Sequence, residues 1–247
     1  KNILKRINNL MVSKKKKLDI GSTELVTIKP ITDTQTKVFD AWKNDKNLFL
    51  YGMAGTGKTF ISLYLALKEV LKNDSPYERV YLVRSLLPTR EIGFLPGDEE
   101  DKSYLYQIPY QNMVRFMFSR PDDTAFNRLY TDLRNQGTID FLSTSFLRGI
   151  TIDNGIIIVD ECQNLNFHEL DTIITRVGQN TKIIFSGDIE QTDLMKTNER
   201  NGILNFQSIL NNLPEFECVE FGIPDIVRSG LLKSYLIEKI RQGKHYE

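Results

Sequence analysis

The sequence predicts an α/β fold in which helices cover both faces of a parallel sheet. Short apolar runs alternate with longer amphipathic stretches, and this alternation favours parallel strands joined by helical crossovers. The run from Ile156 to Val159 is apolar and β-branched throughout, as is typical of a strand buried on both faces. A glycine-rich loop over residues 52–59 stands directly between an apolar run and a helical pattern. Sheets of this kind bind ligands at the carboxyl ends of their strands.

The composition is that of a globular chain, with 247 residues, 40% hydrophobic residues and a formal net charge of zero. We expect a basic arm and a short lead-in segment over residues 1–32, followed by a single domain over residues 33–247. Zero net charge excludes a global basic field, so a nucleic-acid partner would need a local patch. With two cysteines and no apolar run near ~20 residues, we expect a cytoplasmic protein without a membrane partner.

Hydrophobic periodicity predicts the remaining elements in chain order. Residues 25–28 are expected to form a short strand before Pro30, and residues 34–42 a helix with Asp33 as its N-cap. The later strands are expected over residues 79–84, 139–142, 155–160, 182–186 and 217–221. The later helices are expected over residues 60–70, 104–118, 124–135, 167–177, 203–213 and 229–241. Residues 85–103 form a polar connection that is long for a compact domain and is therefore a functional candidate.

The glycine-rich loop has the spacing G-x-x-x-x-G-K-T of a phosphate-binding loop. Its residues are Gly52, Met53, Ala54, Gly55, Thr56, Gly57, Lys58 and Thr59. Glycines let backbone N–H groups converge on phosphate oxygens, and the N-terminus of the following helix adds partial positive charge. We expect Lys58 to bridge the β- and γ-phosphates and the Thr59 hydroxyl to ligate Mg²⁺. The loop therefore predicts binding of a nucleoside triphosphate.

Two acidic residues end the β-branched run, about a hundred residues after Lys58. Asp160, at the carboxyl end of a strand, can hold Mg²⁺ directly or through water beside the Thr59 hydroxyl. Glu161 can orient and polarise the water that attacks the γ-phosphate. An acidic turn after a strand is the alternative, but the pairing with a phosphate loop favours hydrolysis as well as binding.

Another polar motif follows the apolar run 183–185 and reads Ser-Gly-Asp-Ile-Glu-Gln over residues 186–191. Gln191 or Asp188 could contact the γ-phosphate or its water and so report whether the nucleotide is cleaved. A plain Gly-Asp turn is the alternative. We expect this strand to neighbour the one that ends at Asp160.

Five motifs in one order resemble those of the PhoH-like ATPases, a family that bacteria and their phages encode and that is related to the superfamily-one helicase core. They are the phosphate loop and residues 93–98, 146–149, 159–164 and 186–191. The resemblance covers roughly residues 33–241, and Gly-Phe-Leu-Pro-Gly-Asp at 93–98 is its most specific element. One departure is Cys162, a small residue where the family usually has alanine. The resemblance implies a P-loop NTPase (RecA-like) fold with ATP and Mg²⁺ as cofactors.

The resemblance implies further site residues. Gln35 matches an adenine-reading glutamine, with a surface glutamine on a helix as the alternative. Arg228 stands where such ATPases carry a late arginine that can reach the γ-phosphate, in cis or from a neighbouring subunit, although a surface cation would also fit. Arg84, Arg90 and Arg148 match positions around inter-motif loops and could meet nucleic-acid phosphates, the nucleotide or salt-bridge partners.

The leading hypothesis is a Mg²⁺-dependent ATPase that is coupled to single-stranded RNA or DNA and could have a helicase-like activity. Its catalytic residues would be Lys58, Glu161, Gln191 and Arg228. Only about sixty residues follow Ser186, and we expect these to be too few for a second motor domain. A single motor domain favours either a homo-oligomeric ring with sites at subunit interfaces or an ATPase that does not unwind nucleic acid. One alternative is a thymidine-kinase-like phosphotransferase, although that class usually has a four-thiolate zinc site. The other is a nucleotide-gated binding module with little hydrolysis.

Overall fold

The computed structural model describes residues 20–84, 99–188, 197–227 and 230–242. Within these ranges, six strands form one sheet in the spatial order β3-β2-β4-β5-β1-β6. The strands are β1 Asn47–Gly52, β2 Arg79–Arg84, β3 Ile139–Ser143, β4 Gly155–Asp160, β5 Lys182–Gly187 and β6 Phe216–Phe221. Every pairing between neighbours is parallel. All six strands therefore end at one side of the sheet, which we call the carboxyl edge, and the predicted parallel α/β sheet is confirmed.

Helices connect the strands and cover both faces of the sheet. In the described ranges they are α1 Asp33–Lys43, α2 Lys58–Val70, α3 Glu99–Met117, α4 Asp123–Asn135, α5 Thr144–Leu147, α6 Phe167–Ile174, α7 Thr197–Asn211 and α8 Gly230–Arg241. None of these helices is long and apolar enough to cross a membrane.

Strand β4 lies inside the sheet, and all six of its residues are buried. Successive side chains of a strand point to opposite faces, so β4 contributes to two separate cores. Ile156 and Ile158 pack in the cluster that includes α1 to α4, whereas Ile157 and Val159 pack in the cluster that includes α6 and α7. This double burial explains why the run lacks polar residues.

Residues 25–28 do not form the strand that their composition predicts. The Val26 N–H donates to the carbonyl oxygen of Met117 at 2.9 Å, and the Ile28 N–H donates to the Tyr64 hydroxyl at 3.1 Å. Helices α2 and α3 thus satisfy these backbone donors, and the segment lies against helices instead of pairing with a strand.

The N-cap of α1 is Thr32 and not Asp33. The Thr32 hydroxyl accepts a hydrogen bond from the Gln35 N–H at 3.2 Å, whereas Asp33 is already the first helical residue. An acidic residue in the first turn still complements the partial positive charge of the helix N-terminus. The cap fixes the start of α1 and with it the position of Gln35.

We predict that Ile158→Ala lowers the free energy of unfolding by about 2–5 kcal/mol, because it leaves a cavity beside a central strand. Ile158 is 0% exposed, whereas Ile31 is 71% exposed, so Ile31→Ala is a matched control that should change stability by no more than ~0.5 kcal/mol. Urea denaturation of both variants measures the difference. Equal values for the two variants would contradict the burial of β4.

Candidate active site

The phosphate loop joins β1 to α2 at the carboxyl edge. Gly52, Gly55 and Gly57 have φ values of 107°, 77° and 87°, a region that other residues rarely adopt. Gly52 also passes so close to β6 that a Cβ atom there would lie 2.2 Å from the carbonyl oxygen of Phe221. Both the backbone conformation and the lack of space therefore require glycine at residue 52.

Hydrogen bonds with β6 and the segment that follows it hold this loop in shape. The Met53 N–H donates to the carbonyl oxygen of Phe221 at 2.9 Å, and the Val227 N–H donates to the carbonyl oxygen of Gly55 at 3.2 Å. Within the loop, the Thr56 hydroxyl donates to the carbonyl oxygen of Met53 at 2.8 Å. The loop is thus preorganised by contacts of the protein itself.

The Lys58 side chain is buried and curls back over the loop. Its ammonium group donates to the carbonyl oxygens of Gly52 and Met53, at 2.7 Å each. Burial lowers the pKa of Lys58, and the nearby carboxylates, of which Asp188 has the largest effect, act against that shift. The cation therefore lies in the loop with negative charges around it.

The Asp160 carboxylate, at the end of β4, has a hydrogen-bond donor on each of its oxygens. The Thr59 hydroxyl donates to Oδ1 at 2.8 Å, and the Tyr110 hydroxyl donates to Oδ2 at 2.7 Å. Strand β5 lies between β4 and β1, so the bond from Thr59 spans the end of an intervening strand. Burial and the neighbouring Asp160 charge raise the pKa of Tyr110 far above its usual value, which keeps the phenol protonated.

Glu161 has a left-handed backbone conformation, with φ at 52°. The Gln163 side-chain amide donates to Glu161 Oε2 at 2.6 Å, and its oxygen accepts from the Asp188 N–H at 3.0 Å. Gln163 is buried and links the residue after β4 to the residue after β5. As predicted, β5 neighbours β4 in the sheet, which brings Asp188 close to the two acids.

Gly187 leaves the room that this link needs. A Cβ atom at residue 187 would lie 2.5 Å from Gln163 Oε1 and 2.7 Å from the sulfur of Cys162. Cys162 is fully buried, and burial raises the pKa of its thiol above the usual range. It is therefore a small packing residue, in agreement with the view that cysteine is tolerated there in place of alanine.

Gln35 is not a surface residue, so that alternative is wrong. It is 5% exposed, and its side-chain oxygen accepts from the Ile31 N–H at 2.9 Å. Its amide nitrogen donates to the carbonyl oxygen of Thr56 at 3.4 Å. The residue therefore connects α1 to the phosphate loop, and its adenine-reading role stays a prediction.

The structure describes two of the three arginines predicted around inter-motif loops. Arg84 ends β2 at the carboxyl edge, with its guanidinium 5.7 Å from the centre of the Tyr106 ring. Arg148 follows α5 directly and is exposed. Arg90 lies outside the described residues, together with Gln191, Arg228 and the motif at 93–98.

Two residues of the site were not predicted from the sequence. Gln163 lies inside a recognised motif, but its pattern gave no role. Tyr110 lies in an ordinary helical pattern within α3, and nothing in its neighbourhood marks it as a partner of Asp160.

The oxygen donors at this site suit Mg²⁺. Thr59 offers a hydroxyl and Asp160 a carboxylate, and Mg²⁺ prefers hard oxygen ligands, often one or two from the protein with phosphates and water as the others. Among the residues that the structure describes, no group of three or more His, Cys, Asp or Glu side chains could hold a metal by itself. The donor set thus fits an ion that is shared with a phosphate.

A family model described as PhoH-like protein matches residues 27–239 of the chain. Among curated proteins, a PhoH-like protein of Synechocystis sp. is 33% identical over 186 residues, which are 75% of this chain and 54% of that protein. Protein PhoH of Escherichia coli is 31% identical over 208 residues, 83% of this chain and 56% of that protein. The chain therefore spans about half the length of these curated relatives.

Solved structures with a similar arrangement include two phage large terminases. The terminase of bacteriophage HK97 has a TM-score of 0.49 at 12% identity, and the match covers 87% of this chain and 48% of the terminase. The large terminase of a thermophilic bacteriophage, solved in complex with ADP, has a TM-score of 0.44 at 14% identity, and the match covers 84% of this chain and 49% of that terminase.

We predict that Gly52→Ala lowers the free energy of unfolding by about 2 kcal/mol or more, because the new Cβ would meet the backbone of β6 in a strained conformation. Gly230→Ala is the control, since a Cβ atom there has no neighbour within 4 Å. Thermal unfolding of both variants measures the effect. An unchanged melting temperature for Gly52→Ala would show that β1 and β6 do not approach so closely.

Proposed function

Because the chain belongs to the PhoH-like family, as its motifs predict, we propose that it binds ATP with Mg²⁺ and hydrolyses it at the carboxyl edge. The observation that carries this proposal is the 2.8 Å hydrogen bond between Thr59 and Asp160. It joins the phosphate loop to the strand whose next residue is Glu161. A loop for phosphates and a carboxylate that can act on water thus lie side by side.

In this proposal the loop binds the phosphates before any chemistry occurs. Its backbone N–H groups and the N-terminus of α2 face the negative charge, and the Lys58 ammonium exchanges carbonyl oxygens for phosphate oxygens. Thr59 and Asp160 would hold Mg²⁺, and the bound ion would neutralise negative charge on the phosphates. Gln35, which is already bonded to the loop, would select the base, and adenine is the proposed base.

Glu161 is the proposed general base. Its carboxylate accepts a proton from water while the water oxygen forms a bond to the γ-phosphorus and the bond from that phosphorus to the bridging oxygen of ADP breaks. Gln163 holds the Glu161 carboxylate at 2.6 Å and the Asp188 N–H at 3.0 Å. This link supports the proposal that Gln191, three residues after Asp188, responds to cleavage.

Arg228 is proposed to neutralise charge that develops in the transition state. The preceding residue supports this role, because the Val227 N–H donates to the carbonyl oxygen of Gly55 in the phosphate loop. The arginine would act on the site of its own subunit or, in a homo-oligomer, on the site of a neighbouring subunit.

We predict that Glu161→Gln still binds ATP but loses turnover by about 10²–10⁴-fold, because the amide cannot take the proton. Lys58→Ala serves as the blank, and Glu217→Gln, at an exposed residue of β6, is the matched control that keeps full activity. Phosphate release with and without Mg²⁺ measures the rates. Normal turnover by Glu161→Gln would remove the base, and phosphate transfer to thymidine in place of water would indicate a kinase.

A further part of the proposal is coupling to single-stranded RNA or DNA. Arg84 ends β2 at the carboxyl edge, and the exposed Arg148 follows the short helix that begins directly after β3. Cations there would let a phosphate backbone run past the nucleotide site, although the net charge of the chain is zero.

We predict that single-stranded RNA or DNA stimulates turnover, and that Arg148→Ala weakens the binding of both strands and reduces the salt slope by about one. Arg128→Ala, at an exposed residue of α4, is the control and should bind like the wild type. Fluorescence anisotropy over a range of salt concentrations measures both effects. Equal binding of nucleic acid by the two variants would contradict the role of Arg148. Tight binding of ATP without turnover would favour a nucleotide-gated binding module.

A further inference from the structure

The Asp160 carboxylate has a second hydrogen-bond donor that belongs to none of the nucleotide-binding motifs. Tyr110, in the second half of α3, donates its hydroxyl to Oδ2 at 2.7 Å. The residue is 2% exposed, and its ring packs edge-on against Phe141 of β3, with 5.6 Å between the ring centres. The packing of the ring and the hydrogen bond together fix the phenol against the end of β4.

We propose that Tyr110 is a positioning residue that holds Asp160 in the orientation needed to bind Mg²⁺ with the nucleotide. The proposal rests on the function proposed above and assigns a role to a residue outside the motifs. Tyr110 is not proposed to contact the nucleotide, and it acts only through Asp160.

The physical reason lies in the freedom of an aspartate side chain. The torsion that turns the carboxylate of an aspartate is broad, so one hydrogen bond leaves the group free to rotate around the bonded oxygen. Thr59 holds Oδ1 and Tyr110 holds Oδ2, and two donors on opposite oxygens remove this rotation. Among the residues that the structure describes, Tyr110 is the donor found on Oδ2, and the loss of a hydrogen bond to a buried carboxylate is costly and favours a different orientation.

The position in which α3 packs against the sheet determines where the Tyr110 hydroxyl lies. One turn before Tyr110, the ring of Tyr106 lies under the Arg84 guanidinium, and Arg84 is aligned with Asp160 across the β2–β4 pair. Helix α3 therefore meets the ends of two adjacent strands through two tyrosines on one face. The orientation of Asp160 depends on the same helix face.

Tyr110→Phe tests the role, because it removes the hydroxyl and keeps the ring. Calorimetry would measure the affinity for a non-hydrolysable ATP analogue with and without Mg²⁺, so the reading does not depend on turnover. We expect unchanged affinity without Mg²⁺ and a gain from Mg²⁺ that is about tenfold smaller than in the wild type, the size of one hydrogen bond to a charged group. An unchanged gain would overturn the proposal.

Tyr64→Phe is the matched control. Tyr64 is 1% exposed, and its hydroxyl accepts a hydrogen bond from the Ile28 N–H at 3.1 Å, so this variant also loses one hydrogen bond of a buried tyrosine. We expect a similar loss of stability and an unchanged gain from Mg²⁺. An equal reduction in both variants would mean that Tyr110 is merely structural.

Asp160→Asn separates an effect through Asp160 from any other. If Tyr110 acts through this carboxylate, Tyr110→Phe should change the gain from Mg²⁺ little further in the Asp160→Asn background, whereas full additivity would overturn the proposal. The Tyr110→Phe variant could also have a melting temperature far below that of Tyr64→Phe. In that case, a double variant with Asp160→Asn that regains the melting temperature supports the proposal, and a double variant that does not regain it contradicts the proposal. A wild type that does not bind the analogue would instead remove the proposed function itself.

Discussion

The hydrogen bond between Thr59 and Asp160 joins two elements that are 101 residues apart in the chain. It forms because β5 aligns with both of its neighbours, so that Phe49 of β1 and Val159 of β4 lie beside the same residue, Phe185. A slip of one residue would exchange the two faces of a strand and separate the loop from the acid. The register of three strands is therefore a condition for the whole site.

Three polar side chains near this bond are buried, and each has hydrogen-bond partners in the protein. Lys58 donates to carbonyl oxygens of the loop, Gln35 connects the loop to the start of α1, and Gln163 connects Glu161 to the end of β5. Such a network resists rearrangement, because a broken bond leaves a buried polar group unsatisfied. The site can therefore be built before its ligand arrives, which lowers the cost of reorganisation during a reaction.

Local patterns were sufficient for most elements and for the phosphate loop. The burial of β4 and the bounds of α4 follow from side-chain periodicity, and the three positive φ angles of the loop follow from its glycines. The strand predicted at 25–28 was wrong, because α2 and α3 satisfy its donors and tertiary contacts override β-propensity. The sequence predicted Asp160 beside Thr59, but it could not reveal Tyr110 and Gln163, since Tyr110 reaches the acid only once α3 has packed.

The bonds from Phe221 and Val227 to the phosphate loop have a consequence for synthesis on the ribosome. Every motif residue from the loop to Asp188 leaves the ribosome before β6 does. The hydrogen bonds that shape the first half of the loop come from β6 and the turn after it. A nascent chain that ends at β5 would carry the recognisable signature without its fixed conformation. Contacts between segments so far apart in the sequence are slow to form, so competence to bind a nucleotide would be acquired only after β6 and the turn that follows it have been synthesised.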